Sequence, residues 1–135
     1  MPTRRMAREQ ALQALYSITV GRREPNDVLI ETVGDEAPSG HRGFVRDLVL
    51  GTLGHADEVD ATIAPLLQGW TLERMPTIDR LILRMANYEL RYEGTPPAVV
   101  MDEAVELAKK FSTEDSGRYV NGVLAAIVRT DAKKA

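Results

Sequence analysis

Three arginines near the amino terminus, Arg4, Arg5 and Arg8, form the most concentrated group of residues that could bind a charged ligand. Residues three and four apart share a helix face, so Arg8 would lie beside Arg4 and Arg5. Guanidinium groups remain charged and bind phosphate through several N–H donors. The first 23 residues hold five arginines against Glu9 alone, a local charge of +4 in a chain of −3. This asymmetry predicts an anionic partner, unless the arginines only keep a terminal helix soluble.

The other residues that could take part in catalysis or metal binding do not have the spacing of a catalytic or metal site. His41 and His55 are too far apart for a one-turn metal pair. The chain has no cysteine, which excludes a disulfide, a thiolate ligand and a cysteine nucleophile. Its glycines lack phosphate-loop spacing, and adjacent acids such as Asp102 and Glu103 more often complement a helix dipole. We therefore expect no catalytic residue, no metal site and no cofactor.

Length and composition indicate one globular domain covering residues 1–135. At 135 residues and 44% hydrophobic, the chain can form one core but is short for two independent domains. The amino terminus is charged from Arg4 onward and offers no apolar stretch typical of a signal peptide. No window approaches the length of a membrane span. We expect a soluble protein of the cytoplasm that does not associate with membranes.

Hydrophobic spacing predicts helices almost everywhere, and hence an all-α fold. In the first helix, an apolar stripe that includes Ala7, Ala11 and Leu15 is separate from the arginines and can pack inward. The helix after Pro76 is apolar on most of its circumference, which places it in the middle of a bundle. The first three predicted helices cover about 3–20, 25–33 and 42–64, with a polar loop at 34–40. The last three run from Pro76 to Gly94, from Pro97 through Phe111, and from Asp115 or Ser116 to the charged tail.

Asn121 and Gly122 are poor helix formers inside the last predicted helix. Gly122 would allow close contact with another helix, and Asn121 would hydrogen-bond backbone groups in the core. We therefore expect a structural role for both residues.

Four ordered blocks of sequence resemble a known family. They are RRMARE with ALQALY (4–16), IDRLILR (78–84), DEAVELAKKF (102–111), and EDS with YVNGVL (114–124). The pattern resembles the NusB family of bacterial transcription antitermination factors over nearly the whole chain, and is weakest from Gly21 to Gly43.

The resemblance implies an all-α fold of two three-helix halves forming one compact domain. It also implies a non-enzymatic factor that pairs with the ribosomal protein NusE and binds the boxA element of ribosomal RNA leader transcripts as a single strand. Together with RNA polymerase, such a complex reads through terminators.

The resemblance also implies which residues form the site. Asp79 takes the position of the contact with NusE. Met6 stands where some members have another arginine, so affinity for RNA alone could be lower. The positions implied to bind RNA are Arg4, Arg5 and Arg8, then Tyr16 on the same helix, and Asp115 and Tyr119 on the last helix.

Two other function classes stay open. The chain could be a helical interaction scaffold whose first-helix arginines bind an acidic protein or a second copy, forming a homodimer. It could also bind duplex DNA through a helix-turn-helix, although it lacks a clear basic recognition helix. An enzyme is the least supported class.

Overall fold

The computed structural model describes residues 3–67 and 71–134, with side chains up to residue 130. All regular elements within these residues are helices, which confirms the predicted all-α fold. The chain divides into two compact units, Met1–Gly54 and His55–Ala135, called the N-terminal and C-terminal units below.

Three helices form the N-terminal unit, and each contacts the other two. They are α1 (Arg4–Gly21), α2 (Pro25–Val33) and α3 (Ser39–Gly54). Helix α1 ends where Arg22 adopts a left-handed conformation with φ of +53°. The predicted apolar stripe of α1 is confirmed, because its members are buried. The core of this unit comprises Ala7, Ala11, Leu12, Ala14, Leu15 and Ile18 of α1, Val28 and Leu29 of α2, and Val45, Leu48 and Val49 of α3.

Four helices form the C-terminal unit: α4 (Ala56–Ile63), α5 (Thr77–Tyr92), α6 (Pro97–Phe111) and α7 (Glu114–Lys134). Short 3₁₀ turns lie at Ala64–Leu66 and Leu72–Arg74. Helix α5 contacts α4, α6 and α7, and most of its side chains from the second turn onward are buried. The prediction of a central helix is therefore confirmed.

The predicted long helix over 42–64 is wrong, because the chain forms two helices there. Gly51 and Gly54 lower helix propensity in this stretch, and His55 leaves the helical region with φ of −110° and ψ of 16°. The His55 ring then stacks on Tyr92 of α5 with 4.1 Å between ring centroids. This contact attaches the start of α4 to α5.

Two expectations for α7 also differ from the structure. Neither Asp115 nor Ser116 caps the helix, because Thr113 Oγ1 accepts the Ser116 amide hydrogen bond at 3.0 Å. The predicted structural role of Asn121 and Gly122 is wrong, since both are exposed and a Cβ added to Gly122 would meet nothing within 4 Å.

Candidate nucleic-acid interface

The start of α1 combines two sources of positive potential. Thr3 caps the helix, its Oγ1 accepting a hydrogen bond from the Met6 amide at 3.1 Å, so Arg4 and Arg5 fall in the first turn. That turn contains no acidic residue, and the helix dipole adds partial positive charge at the same end. The arrangement therefore favours a negatively charged ligand at the helix start.

Phe44 of α3 brings two of the three arginines together. The guanidinium carbon of Arg4 lies 3.9 Å from the centre of the Phe44 ring, and that of Arg8 lies 5.5 Å from it. Such cation–π contacts orient both groups. Arg4 is exposed, whereas Arg8 is only 6% exposed. Arg4 can therefore meet a ligand directly, while Arg8 adds positive charge from just beneath the surface.

Arg5 and Tyr16 lie on a different strip of α1. Helical geometry places them about 20° apart around the axis and about 16 Å apart along it. Arg5 is exposed, and Tyr16 is 42% exposed. An exposed tyrosine ring can stack an unpaired base, and a neighbouring guanidinium can bind the adjoining phosphates. This strip therefore suits a nucleic acid strand that runs along the helix.

The other predicted site residues belong to the C-terminal unit, where they line one open cleft of about 280 Å³. Asp79 comes from α5, and Asp115 and Tyr119 come from α7. Met75 and Pro76 add apolar surface to the same cleft. The fold thus brings together three residues that are distant in the sequence.

Asp79 lines this cleft and is only 4% exposed. Its Oδ2 accepts a hydrogen bond from Ser116 Oγ at 2.8 Å, and Ser116 Oγ accepts one from Thr113 Oγ1 at 3.0 Å. Its Oδ1 has no hydrogen-bond partner among the residues that the structure describes. A partner group that binds Asp79 must therefore enter the cleft and donate a hydrogen bond.

Tyr119 offers a second polar group to the cleft. Its buried hydroxyl also has no hydrogen-bond partner in the described part of the chain. Burial, followed by the negative charge of Asp79, raises the pKa of Tyr119 above its ordinary value. The hydroxyl consequently stays protonated at neutral pH and can donate to a ligand.

Asp115 lies at the exposed start of α7 and forms an ion pair with Arg118 one turn later. Exposed pairs of this kind contribute little to stability. A base amino group could therefore replace Arg118 as the partner of Asp115 at small cost.

Sequence reasoning did not assign Phe44 or Ser116 to the site. Phe44 carries no local sequence signal for a contact with arginines on another helix. The sequence offers Ser116 as a helix cap and as part of the EDS block, whereas in the structure its hydroxyl orients a carboxylate 37 residues away. Only the packing of the helices reveals both contacts.

A metal centre has no support in the described residues, where no three His, Asp or Glu side chains come close enough to hold an ion. Among the same residues, no helix has the length and apolar character needed to cross a membrane.

Comparison with known proteins identifies the family. Residues 5–129 match the NusB family. The chain is 48% identical to transcription antitermination protein NusB of Geobacillus kaustophilus, covering 92% of this chain and 94% of that protein. T. maritima NusB matches with a TM-score of 0.89 at 32% identity, covering 95% of this chain and 92% of the other. NusB in a crystal structure of antitermination factors NusB and NusE with double-stranded RNA matches with a TM-score of 0.85 at 28% identity, covering 94% and 96%. The chain therefore belongs to the NusB family.

Proposed function

We propose that this protein is a non-enzymatic transcription antitermination factor. It binds the boxA element of ribosomal RNA leader transcripts as a single strand, together with NusE. Within the antitermination complex of RNA polymerase, it supports transcription through terminators. It acts in the cytoplasm, as one domain over residues 1–135, and needs no cofactor.

The observation that carries this proposal is the positive start of α1 in a chain of the NusB family. Arg4 and Arg5 occupy a helix start that already favours anions. The relative from Geobacillus kaustophilus is named a transcription antitermination protein, and one structural neighbour is a complex of NusB, NusE and RNA. Family and local electrostatics thus support the same class of ligand.

Each site residue has a role that follows from its chemistry. Arg4 and Arg5 bind phosphates, and the more deeply placed Arg8 strengthens the positive potential. Tyr16 stacks an unpaired base. On α7, Asp115 accepts hydrogen bonds from base amino groups and Tyr119 donates one through its hydroxyl. Asp79 accepts a hydrogen bond from NusE inside the cleft.

The small number of cationic contacts explains the need for NusE. Two phosphate contacts to a single strand, from Arg4 and Arg5, give a slope of about −1.4 for log affinity against log salt concentration. A slope this shallow corresponds to modest electrostatic affinity. A partner protein that extends the contact surface would raise the affinity for RNA.

The test is fluorescence anisotropy of labelled RNA across a salt series, with and without NusE. The RNAs are a single-stranded boxA sequence, a scrambled strand of the same composition and a boxA duplex, because the RNA in the structural neighbour is double-stranded. The test variant is Arg4→Ala with Arg5→Ala. Its matched control is Arg74→Ala with Arg129→Ala, which removes two exposed arginines outside α1.

We expect selective binding of the boxA strand that NusE strengthens. The test variant should weaken binding and make the salt slope shallower by about 1.4, since each lost phosphate contact removes about 0.7. The control variant should bind like the wild type. Equal binding to boxA and scrambled RNA, unaffected by NusE, would overturn the proposal. Preference for the duplex would contradict the single-strand part alone.

The scaffold hypothesis predicts a different outcome in the same experiment. If the first-helix arginines bind a second copy of the chain, the Arg4→Ala and Arg5→Ala variant should lose self-association and leave RNA binding unchanged. Measuring the mass of each variant by light scattering separates the two functions.

A further inference from the structure

The carboxyl end of α1 carries an arginine in a backbone conformation that residues with a side chain rarely adopt. Helix α1 ends at Gly21, and Arg22 follows with φ of 53° and ψ of 45°. Among the described residues, Arg22 is the only one other than glycine with a positive φ. Glycine is the usual residue at this position of a helix end, because a Cβ strains the left-handed backbone. Backbone preference therefore does not explain an arginine here.

The order of Gly21 and Arg22 is unfavourable at both positions. Glycine lowers the stability of a helix, and arginine is strained in the left-handed conformation. The reverse order would place arginine in the helix and glycine in the left-handed position. It would also keep a cation at the carboxyl end of α1, where the helix dipole favours one. The dipole therefore does not require the observed order. Strained residues cluster at binding sites, which makes the Arg22 side chain a candidate ligand-binding group.

The guanidinium of Arg22 is available to a ligand, because the nearest acidic residues in the sequence have other partners. Arg23 holds Glu31 through two hydrogen bonds. Glu24 caps α2, where it accepts a hydrogen bond from the Asp27 amide at 3.0 Å. Arg22 itself is exposed, and no hydrogen bond or ion pair joins its side chain to another described residue. The chain thus leaves one unpaired cation just beyond α1.

An exposed face of α1 leads from the residues already assigned to RNA toward Arg22. Tyr16 is 42% exposed and Val20 is 52% exposed. Helical geometry places Val20 about 40° around the axis from Tyr16 and about 6 Å further along it. The strip of Arg5 and Tyr16 therefore continues to the carboxyl end of the helix. Arg22 follows about 9 Å beyond Tyr16 along the same axis, so a strand that follows the strip reaches it.

We propose that Arg22 binds the phosphate backbone of the RNA strand beyond Tyr16. The inference rests on the proposed RNA function and adds a contact about 25 Å from Arg5 along α1. A guanidinium binds phosphate through several N–H donors. The exposed Tyr16 ring between the two cationic ends favours a nucleic acid over an acidic protein segment, because it can stack an unpaired base.

The proposal changes the expected salt dependence of RNA binding. With Arg22, the strand meets three phosphate-binding arginines instead of two. Each contact adds about 0.7 to the slope of log affinity against log salt concentration, so the wild-type slope should be about −2.1 rather than −1.4. The added contact carries no sequence information, because it is made to the backbone.

The experiment measures RNA anisotropy and thermal unfolding on the same variants. Arg22→Gly should make the salt slope shallower by about 0.7, so its loss of affinity is about 2.6-fold larger at about 50 mM than at about 200 mM salt. The loss should be equal for boxA and scrambled strands. The same variant should unfold at a higher temperature, because glycine relieves the backbone. Arg22→Lys should keep the wild-type slope, and so should the control Arg74→Ala, which removes an exposed arginine outside α1.

A variant with the two residues exchanged, Gly21→Arg with Arg22→Gly, tests position at constant charge. It moves the guanidinium about 140° around α1 from Tyr16. A Cβ at Gly21 would meet only the flexible side chain of Arg23, at 3.3 Å, so the fold should stay intact. The exchanged variant should bind RNA as weakly as Arg22→Gly.

The outcomes separate this inference from the proposed function. Selective boxA binding by the wild type, with an unchanged slope in Arg22→Gly, would overturn the role of Arg22 alone. So would wild-type binding by the exchanged variant, or a loss of NusE binding in Arg22→Gly without a loss of RNA binding, which would indicate a protein contact. A wild type that does not distinguish boxA from scrambled RNA, with or without NusE, would overturn both.

Discussion

At the scale of single residues, the buried polar groups of the C-terminal cleft depend more on their hydrogen-bond partners than the exposed arginines of α1 do. An exposed arginine is solvated whether or not a ligand is present. Asp79, by contrast, is buried and depends on Ser116 for the hydrogen bond to its Oδ2. A buried carboxylate that loses its donor bears the full cost of desolvation. This site should therefore respond strongly to small substitutions.

The Ser116→Ala substitution should destabilise the protein by about 1–3 kcal/mol, because it leaves Asp79 buried without a donor. Urea unfolding monitored by circular dichroism measures the change. The control is Ser112→Ala, which removes a neighbouring hydroxyl that contacts Ser116 Oγ at 3.0 Å but keeps the bond to Asp79. Equal losses in the two variants would contradict the role given to Ser116.

Tyr119 should make stability fall at alkaline pH. Burial and Asp79 raise its pKa in the folded protein above the ordinary value of 10.0. As pH rises through about 10, the unfolded chain loses this proton first, so the folded state becomes relatively less stable. Tyr119→Phe removes the titration. Its stability relative to wild type, measured by urea unfolding, should improve steadily between about pH 9 and 11. A constant difference across that range would argue against a shifted Tyr119.

At the scale of helices, backbone conformation decides what each glycine does. Gly122 is exposed in the middle of α7, and a Cβ there meets nothing within 4 Å. Gly94 lies between α5 and α6 with equally open surroundings, but its φ is +69°. A side chain therefore has room at both positions, and the two glycines differ in their backbone conformation.

Gly122→Ala should stabilise the protein by about 0.5–1 kcal/mol, because glycine is a poor residue for a helix interior. Gly94→Ala should destabilise it, since its left-handed backbone disfavours a Cβ. Thermal unfolding of the two variants beside wild type provides the comparison. Opposite signs are expected, and a loss of stability in Gly122→Ala would indicate a contact outside the described residues.

At the scale of the whole molecule, charge is divided unevenly. The N-terminal unit has seven basic and seven acidic residues, whereas the C-terminal unit has ten basic and thirteen acidic residues. The positive region at the start of α1 is therefore local, because acidic residues later in the same unit balance it. Over distances beyond a Debye length of about 8–10 Å, its attraction for RNA should be largely screened.

The single domain predicted from chain length stays a prediction, and it can be tested through unfolding. A unit of about 54 residues is marginal alone. Leu15→Ala, in the core of the N-terminal unit, should cost about 2–5 kcal/mol and lower the urea concentration at which the amides of α5, in the C-terminal unit, lose protection from hydrogen exchange. An unchanged midpoint for α5 would mean that the units unfold independently.

Local sequence determined much of the secondary structure. Apolar spacing on α1 and the all-round apolar character of α5 identified their buried faces, because helical periodicity is a local property. Pro97 marked the start of α6 through its fixed backbone conformation, whereas α1 continues through Gly21 and ends at Arg22. The arginine cluster was equally visible, since charge density needs no tertiary information.

Tertiary structure decided what depends on residues distant in sequence. His55 interrupts the predicted long helix while stacking on Tyr92 of α5. Arg8 became buried beside Phe44, and Asp79 acquired its donor from Ser116. The RNA and NusE roles of the site residues stay predictions implied by the family. Sequence by itself determined the helical periodicity and the positive first turn of α1. Only packing decided which polar groups are buried, because desolvation depends on neighbours that distant parts of the chain supply.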